Sequence, residues 1–136
     1  MIGRLDARVC LDTSGYSAFK RGHEGAVDVL QRANEIVLPA VVIGELLAGF
    51  RMGSRNRMNR RELDGFLASA RVRIAPLGAE TAQRYAEIVS YLRDRGTPIP
   101  TNDIWIAACA MEWGLRLFTT DRHFDRLPQV SLLSLD

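Results

Sequence analysis

The run PTNDIWIAACAMEWGLRLFTTD, residues 100–121, contains one complete helix-to-strand unit. From Asp103 to Trp113 its apolar residues recur at helical spacing, and Gly114 falls where a helix C-cap takes glycine. Leu115 to Thr119 then reads as a strand, and Asp121 closes it. Ahead of the helix, GTPIPTN (Gly96 to Asn102) cannot continue any preceding helix and forms a loop. The same alternation repeats outward along the chain. Strands are expected at Val9 to Leu11, Ile36 to Leu38, Val72 to Ala75, Leu115 to Thr119 and Val130 to Leu133. Helical spacing runs through Ala26, Leu30 and Ala33, and through Ala40 to Met52, Arg57 to Ala70, Ala79 to Arg93 and Asp103 to Trp113, with Pro39 suited to a first helical turn. Short strands between longer helices predict a three-layer α/β/α domain around a mostly parallel five-stranded sheet. Residues 1–136 show neither an internal repeat nor a linker, so one domain is expected.

Composition agrees with that architecture. A chain of 136 residues, 47% hydrophobic, can bury about two thirds of its unfolded surface and needs no disulfide or structural metal. Cys10 and Cys109 lie in apolar stretches, in neither a CxxC pair nor a ligand spacing, and read as buried, reduced thiols of a cytoplasmic protein. The opening MIGRLDARV meets charge too early for a secretory signal. The uncharged apolar runs Ile36 to Gly44 and Ile104 to Met111 fall short of the roughly 20 residues that a membrane span requires. A net charge of +2 does not by itself announce a nucleic-acid binder. Its distribution says more, because Arg51 to Arg61 carries Arg51, Arg55, Arg57, Arg60 and Arg61 and no acid. That segment is either a solvated helix end or an edge that contacts phosphates, for which the planar guanidinium is well shaped.

Four acids stand where structure alone accounts for them incompletely. Asp12 follows the apolar run Val9, Cys10, Leu11 and is placed at the carboxyl end of the first strand, where open parallel sheets bind ligands. It also suits a helix N-cap, with Thr13 and Ser14 beside it. Glu45 lies inside AVVIGELLAG, and its neighbours one turn away, Val41, Val42, Ala48 and Gly49, cannot pair with a carboxylate. A charge on an apolar helix face needs compensation from elsewhere, either a bound cation or a distant arginine. Asp103 opens an apolar helix, where capping by Thr101, Asn102 or Asp103 accounts for part of its placing, and Asp121 marks the end of a strand or the start of a helix. Asp125, one turn further on, reads as a surface residue.

Acids delivered to one sheet edge by separate segments form a cluster whose members repel one another unless a divalent cation screens them. Hard oxygen ligands select Mg²⁺ or Mn²⁺. Such sites suit phosphodiester hydrolysis, in which one ion activates water and a second can stabilise the leaving oxygen.

Four pieces of the sequence, VCLDTSGYSAF, VLPAVVIGELLAGF, PIPTNDIWIAACAMEWG and LRLFTTDRHFDRLPQV, occur in the order and spacing of the PIN-domain family. The chain resembles its VapC-type toxin ribonucleases over essentially its whole length. The resemblance implies a cytoplasmic Mg²⁺- or Mn²⁺-dependent endoribonuclease that cuts RNA such as tRNA or rRNA. It also implies a homodimer silenced by a VapB-like antitoxin that brings a basic side chain to the acidic pocket. Carried over residue by residue, the metal-binding and catalytic acids are Asp12, Glu45, Asp103 and Asp121. Among these we assign Asp12 and Asp103 to the principal metal, Glu45 to shaping the same site or a second ion, and Asp121 to orienting a metal-bound water. Thr13 or Ser14, and Thr119 or Thr120, correspond to the small polar residues that support these acids. His123 stands where some relatives place an acid. The Arg51 to Arg61 edge would hold RNA phosphates. Trp105 and Trp113 either stack bases or, at helical spacing, serve as core or dimer contacts.

Three other readings use the same residues. A non-catalytic RNA or protein binding module on the same scaffold is one, and the intact acids argue against it. A phosphotransfer domain with Asp12 as nucleophile lacks a second acid two residues on and a glycine-rich phosphate loop. A metal-dependent DNA nuclease differs only in substrate.

Overall fold

A computed structural model describes residues 5–133; the first four residues, part of the charged opening read above, lie outside the described residues. The chain runs β1 (Leu5–Leu11), α1 (Thr13–Lys20), α2 (Glu24–Arg32), β2 (Ala33–Pro39), α3 (Ala40–Met52), α4 (Asn56–Leu67) and β3 (Val72–Ala75). It continues through α5 (Ala79–Arg95), α6 (Thr101–Trp113), β4 (Arg116–Phe118) and a short 3₁₀ turn (Arg122–Arg126). The strands form a four-stranded sheet in the order β3-β2-β1-β4, with every pairing parallel.

The sheet is apolar because it is covered. Val9, Cys10 and Leu11 of β1, Val37 and Leu38 of β2, and Leu117 and Phe118 of β4 are fully buried. Continuous apolar strands of this kind belong to parallel sheets with helices on both faces. The chain leaves β1 for β2 and β3 on one side and returns to β4 on the other. The order therefore reverses between β1 and β4, and their carboxyl ends open the crevice where such sheets bind ligands. Asp12 follows β1 there, and Thr119 to Asp121 follow β4.

Two expectations need correction. Val130 to Leu133 is not a fifth strand: it touches the sheet through one parallel bridge, Leu117 to Leu132, flanked by Leu117 N–H to the Ser131 carbonyl and Leu133 N–H to the Leu117 carbonyl, each 2.8 Å. Beyond these contacts β4 itself ends at Phe118, leaving the segment nothing more to pair with. Ala33 does not continue the helical face of Ala26 and Leu30. It is extended, at φ −63° and ψ 138°, and starts β2. Its methyl is buried in either setting, so helical spacing alone could not separate the two.

Pro39, expected in a first helical turn, stands one residue earlier, as the last residue of β2 and the N-cap of α3, and the loop expected over Gly96 to Asn102 gives way to α6 at Thr101. Gly114 ends α6 at φ +64°, a left-handed conformation that favours glycine. Cys10 and Cys109 are free and buried, and the Cys10 thiol, hydrogen-bonded to Cys109 and desolvated, has its pKa raised well above the ordinary value. Trp105 stacks on Tyr85 with ring centroids 4.1 Å apart, tying α6 to α5, and Trp113 packs partly buried against the core. Among the described residues, no helix is long and apolar enough to cross a membrane.

Candidate functional site

The crevice at the sheet's reversal point is built around Asp12. Its carboxylate caps α1, accepting from the Gly15 N–H at 2.7 Å, and is 3% exposed. Ser14 donates to it at 2.8 Å, and the Thr119 hydroxyl, arriving from the end of β4, donates to Oδ2 at 2.5 Å. Thr119 Oγ1 also accepts the Asp121 N–H at 2.9 Å, so one hydroxyl joins the first acid to the backbone of the last. Of the two threonines named from the sequence, Thr119 supplies the side chain. Thr120 contributes its backbone N–H, which bonds Ser14 Oγ at 3.0 Å. The two readings of Asp12, cap and site acid, are compatible in this geometry.

Glu45 projects from the second turn of α3, half-buried, and is held at both oxygens. Thr13 donates to Oε1 at 2.6 Å and Asn102 Nδ2 to Oε2 at 3.1 Å. These bonds tie α3 to the starts of α1 and α6. Thr13 and Ser14 thus support different acids. In the sequence Asn102 reads as the end of the proline loop or as a helix cap, not as a residue of the site.

Asp103 lies in the first turn of α6, two residues later in the helix than the sequence suggested, because α6 begins at Thr101. The Asp121 carboxylate accepts the His123 N–H at 2.9 Å, capping the 3₁₀ turn. That turn swings the His123 ring back between the two acids, with Nδ1 2.8 Å from Asp103 Oδ2 and 2.9 Å from Asp121 Oδ1. Ligand atoms of Asp103, Asp121 and His123 all lie within 4.8 Å of one another. Glu45, Asn102, Asp103, Asp121 and His123 line one open cleft of about 410 Å³. Asp12 does not line it but is close enough for the Asp103 charge to act on it.

The electrostatics follow from this crowding. Burial raises the pKa of Asp12; the hydrogen bonds from Thr119, Gly15 and Ser14 oppose the rise, and the Asp103 charge adds to it. Burial likewise raises the pKa of Asp103, opposed by the His123 hydrogen bond and assisted by the charges of Asp121 and Glu45. Among the described residues, no lysine or arginine forms an ion pair with any of the four acids. The distant arginine considered for Glu45 is therefore absent from the described ion pairs. Clustered carboxylates with half-buried oxygens and no resident guanidinium are the donor set that a divalent cation fits.

The arginine segment forms the end of α3 and the start of α4. Arg51, Arg57 and Arg60 line a cleft of about 310 Å³ with Leu47 and Asn56. Arg55 lines the neighbouring one with Tyr16, Phe50 and Glu62, and Arg61 lines neither. Asp125 is exposed and lies 3.9 Å from Arg122, as expected of a surface residue.

The PIN domain sequence profile matches residues 9–130. Ribonuclease VapC2 of Rickettsia felis is 28% identical over 139 residues, covering 100% of this chain and 99% of the relative. Ribonuclease VapC4 of Mycobacterium tuberculosis is 32% identical over 97 residues, covering 70% and 73%. The crystal structure of VapBC2 from Rickettsia felis, bound to a DNA fragment from its promoter, superposes with a TM-score of 0.80 at 25% identity. That likeness spans 92% of this chain and 96% of the other.

Proposed function

Because this chain belongs to the PIN-domain family, in the branch of its VapC relatives, we propose that it is a divalent-metal-dependent endoribonuclease, the toxin of a toxin–antitoxin pair. Its substrates are RNAs of the tRNA or rRNA class. The observation that carries this reading is one cleft lined by Glu45, Asp103 and Asp121, with the Asp103 charge acting on Asp12 and, among the described residues, no lysine or arginine paired to any of them. An RNA-binding module gains nothing from this arrangement, since crowded, half-desolvated carboxylates repel both one another and nucleic acid.

In this reading Asp12, Glu45, Asp103 and Asp121 hold Mg²⁺ or Mn²⁺, which supplies Lewis acidity toward the scissile phosphate and toward water. The chain's own residues keep the carboxylates in place. Ser14, Thr119 and the Gly15 N–H fix both oxygens of Asp12, while Thr13 and Asn102 fix those of Glu45. Preorganisation of this kind means that Asp12 and Glu45 need not be reoriented when substrate arrives. A VapB-like antitoxin is the natural inhibitor, because a basic side chain entering the cleft would satisfy the same charges.

The test is cleavage of RNA and of DNA with matched sequence, with and without a divalent ion. RNA should be cut only when the ion is present, and chelation should stop the reaction. Cleavage of DNA alone would favour the DNA-nuclease alternative, and binding without cleavage of either would favour the binding module.

The arginine edge has its own expected result. We place RNA phosphates along Arg51, Arg55, Arg57, Arg60 and Arg61. Replacing Arg57, Arg60 and Arg61 together by glutamine should weaken RNA binding and flatten its dependence on salt, by up to about 2 to 3 in the log–log slope. Binding titrations at several ionic strengths measure this. An unchanged slope would mark the edge as solvated surface; Arg60, already paired with Asp64 at 3.1 Å, should contribute least.

A further inference from the structure

We infer that His123 is a nitrogen ligand of the metal site and that it biases the site toward Mn²⁺ over Mg²⁺. The inference rests on the metal-dependent reading above and adds a residue that the four-acid assignment leaves out. Three observations carry it. First, Nδ1 faces two carboxylates at once, 2.8 Å from Asp103 and 2.9 Å from Asp121. Second, the three ligand atoms fall within 4.8 Å of one another. Ligands of a single ion at about 2.0–2.3 Å are separated by at most about 4.6 Å, so only a small adjustment separates this cluster from a coordination set.

Third, the ring position is built by the backbone. The His123 N–H bonds Asp121 Oδ1, closing the 3₁₀ turn, and the next residue, Phe124, is fully buried. The turn is thus pinned between an acid of the site and the core, which fixes where the His123 backbone stands beside the cleft.

The choice of ion follows from ligand chemistry. Mg²⁺ is held by oxygens and gives up its waters reluctantly. Imidazole is a ligand of transition-metal ions, whereas carboxylates and water suit Mg²⁺ and Mn²⁺ alike. Of these two ions only Mn²⁺ is a transition-metal ion, so it is the one of the pair that better accepts an imidazole beside the carboxylates. An arginine or lysine at position 123 could neutralise Asp103 and Asp121 equally well but would offer no lone pair.

The experiment compares the unsubstituted chain with His123→Asp and His123→Ala. Calorimetric titration with Mn²⁺ and with Mg²⁺ gives the ratio of their affinities, and pulsed electron paramagnetic resonance of bound Mn²⁺ reports a coordinated nitrogen directly. Circular dichroism melts confirm that the variants, altered at a half-exposed side chain, remain folded. The expected result is nitrogen modulation in the unsubstituted protein and none in His123→Asp, together with a Mn²⁺-to-Mg²⁺ ratio lowered by about tenfold while Mg²⁺ still binds. Both ions binding with an unchanged ratio, or no nitrogen modulation in the unsubstituted protein, would overturn the inference and leave the metal-dependent reading standing. Equal tightening of both ions in His123→Ala would also overturn it, identifying the ring as a counterion. Neither ion binding to the unsubstituted chain would overturn both.

Discussion

Asp103→Asn should reduce metal-dependent RNA cleavage by at least about 100-fold and yet raise the melting temperature of the metal-free protein at neutral pH by about 2–4 °C. The first effect follows from where Asp103 sits: it shares His123 with Asp121 and lines the same cleft as Glu45. The second follows from the sign of its ionisation. Burial, with the Asp121 and Glu45 charges, holds the Asp103 carboxyl above its ordinary 3.8 despite the opposing His123 contact. The folded chain therefore binds this proton more tightly than the unfolded chain does. Stability is greatest with the proton on; it falls as pH rises from about 4 through the folded value and stays lower above it. An amide cannot ionise and escapes this loss, so the two proteins should converge in stability near pH 3. Thermal melts across pH in a chelating buffer, beside RNA cleavage with the metal restored, measure both effects. A variant that cleaves normally, or melts lower at pH 7, contradicts this account of the site.

Asp12 shows why the direction of a pKa shift is not enough. Its carboxyl is also raised, by burial first, but its oxygens receive Gly15 N–H, Ser14 and Thr119. An amide there would present an N–H₂ group to donors on at least one side, leaving buried hydrogen-bonding groups unsatisfied. Relief of charge and loss of partners oppose each other at Asp12, whereas at Asp103 the one lost partner is a half-exposed imidazole. The same substitution should therefore stabilise at 103 and not at 12.

How legible the site was in the sequence depended on distance along the chain. The four acids stood out because each lacked a local partner or closed an apolar run, and parallel-strand topology brings such positions to one edge. Their supports were less legible. Thr13 reaches Glu45 across 32 residues, and Asn102 reaches it across 57; no periodicity encodes contacts of that span. Thr119 and Thr120 were equivalent until the end of β4 fixed which hydroxyl faced Asp12. His123 is noticed in the sequence only as standing where some relatives place an acid, and DRHFDRL by itself gives it no role. The one available signal was an Asp two residues before the histidine, a spacing at which its carboxylate caps a turn and folds the ring back. The fold was read more fully, since helical spacing and alternating apolar runs record burial. They failed at Ala33, whose small side chain is buried as strand or helix, and at Val130 to Leu133, where apolar residues pack without extended pairing.

Gly15→Ala should destabilise the protein by about 1–2 kcal/mol even though alanine is the better helix former. Two effects compete. Inside α1, replacing glycine by alanine favours the helix by about 1 kcal/mol. Against that, a Cβ on Gly15 would lie 2.8 Å from Leu11 Cδ1, 2.8 Å from the Phe118 carbonyl oxygen and 3.1 Å from Phe118 Cδ2. Leu11 and Phe118 are fully buried in adjacent strands, and a backbone oxygen cannot rotate away as a side chain can. Relief must come from α1 lifting off the sheet, and overpacking of this kind costs about 1–3 kcal/mol or more. Gly65→Ala is the control. It lies inside α4 with nothing within 4 Å of its added Cβ, so it should gain about 0.5–1 kcal/mol. Urea denaturation of both variants separates the terms, and equal gains would show that α1 has room the structure does not give it. The site should respond as well, because the Gly15 N–H that would move with α1 is the one that holds Asp12. RNA cleavage should therefore fall in Gly15→Ala under conditions where the variant is still fully folded, and remain unchanged in Gly65→Ala. The sheet's crowding at one methyl-sized gap thus sets where the first acid can stand.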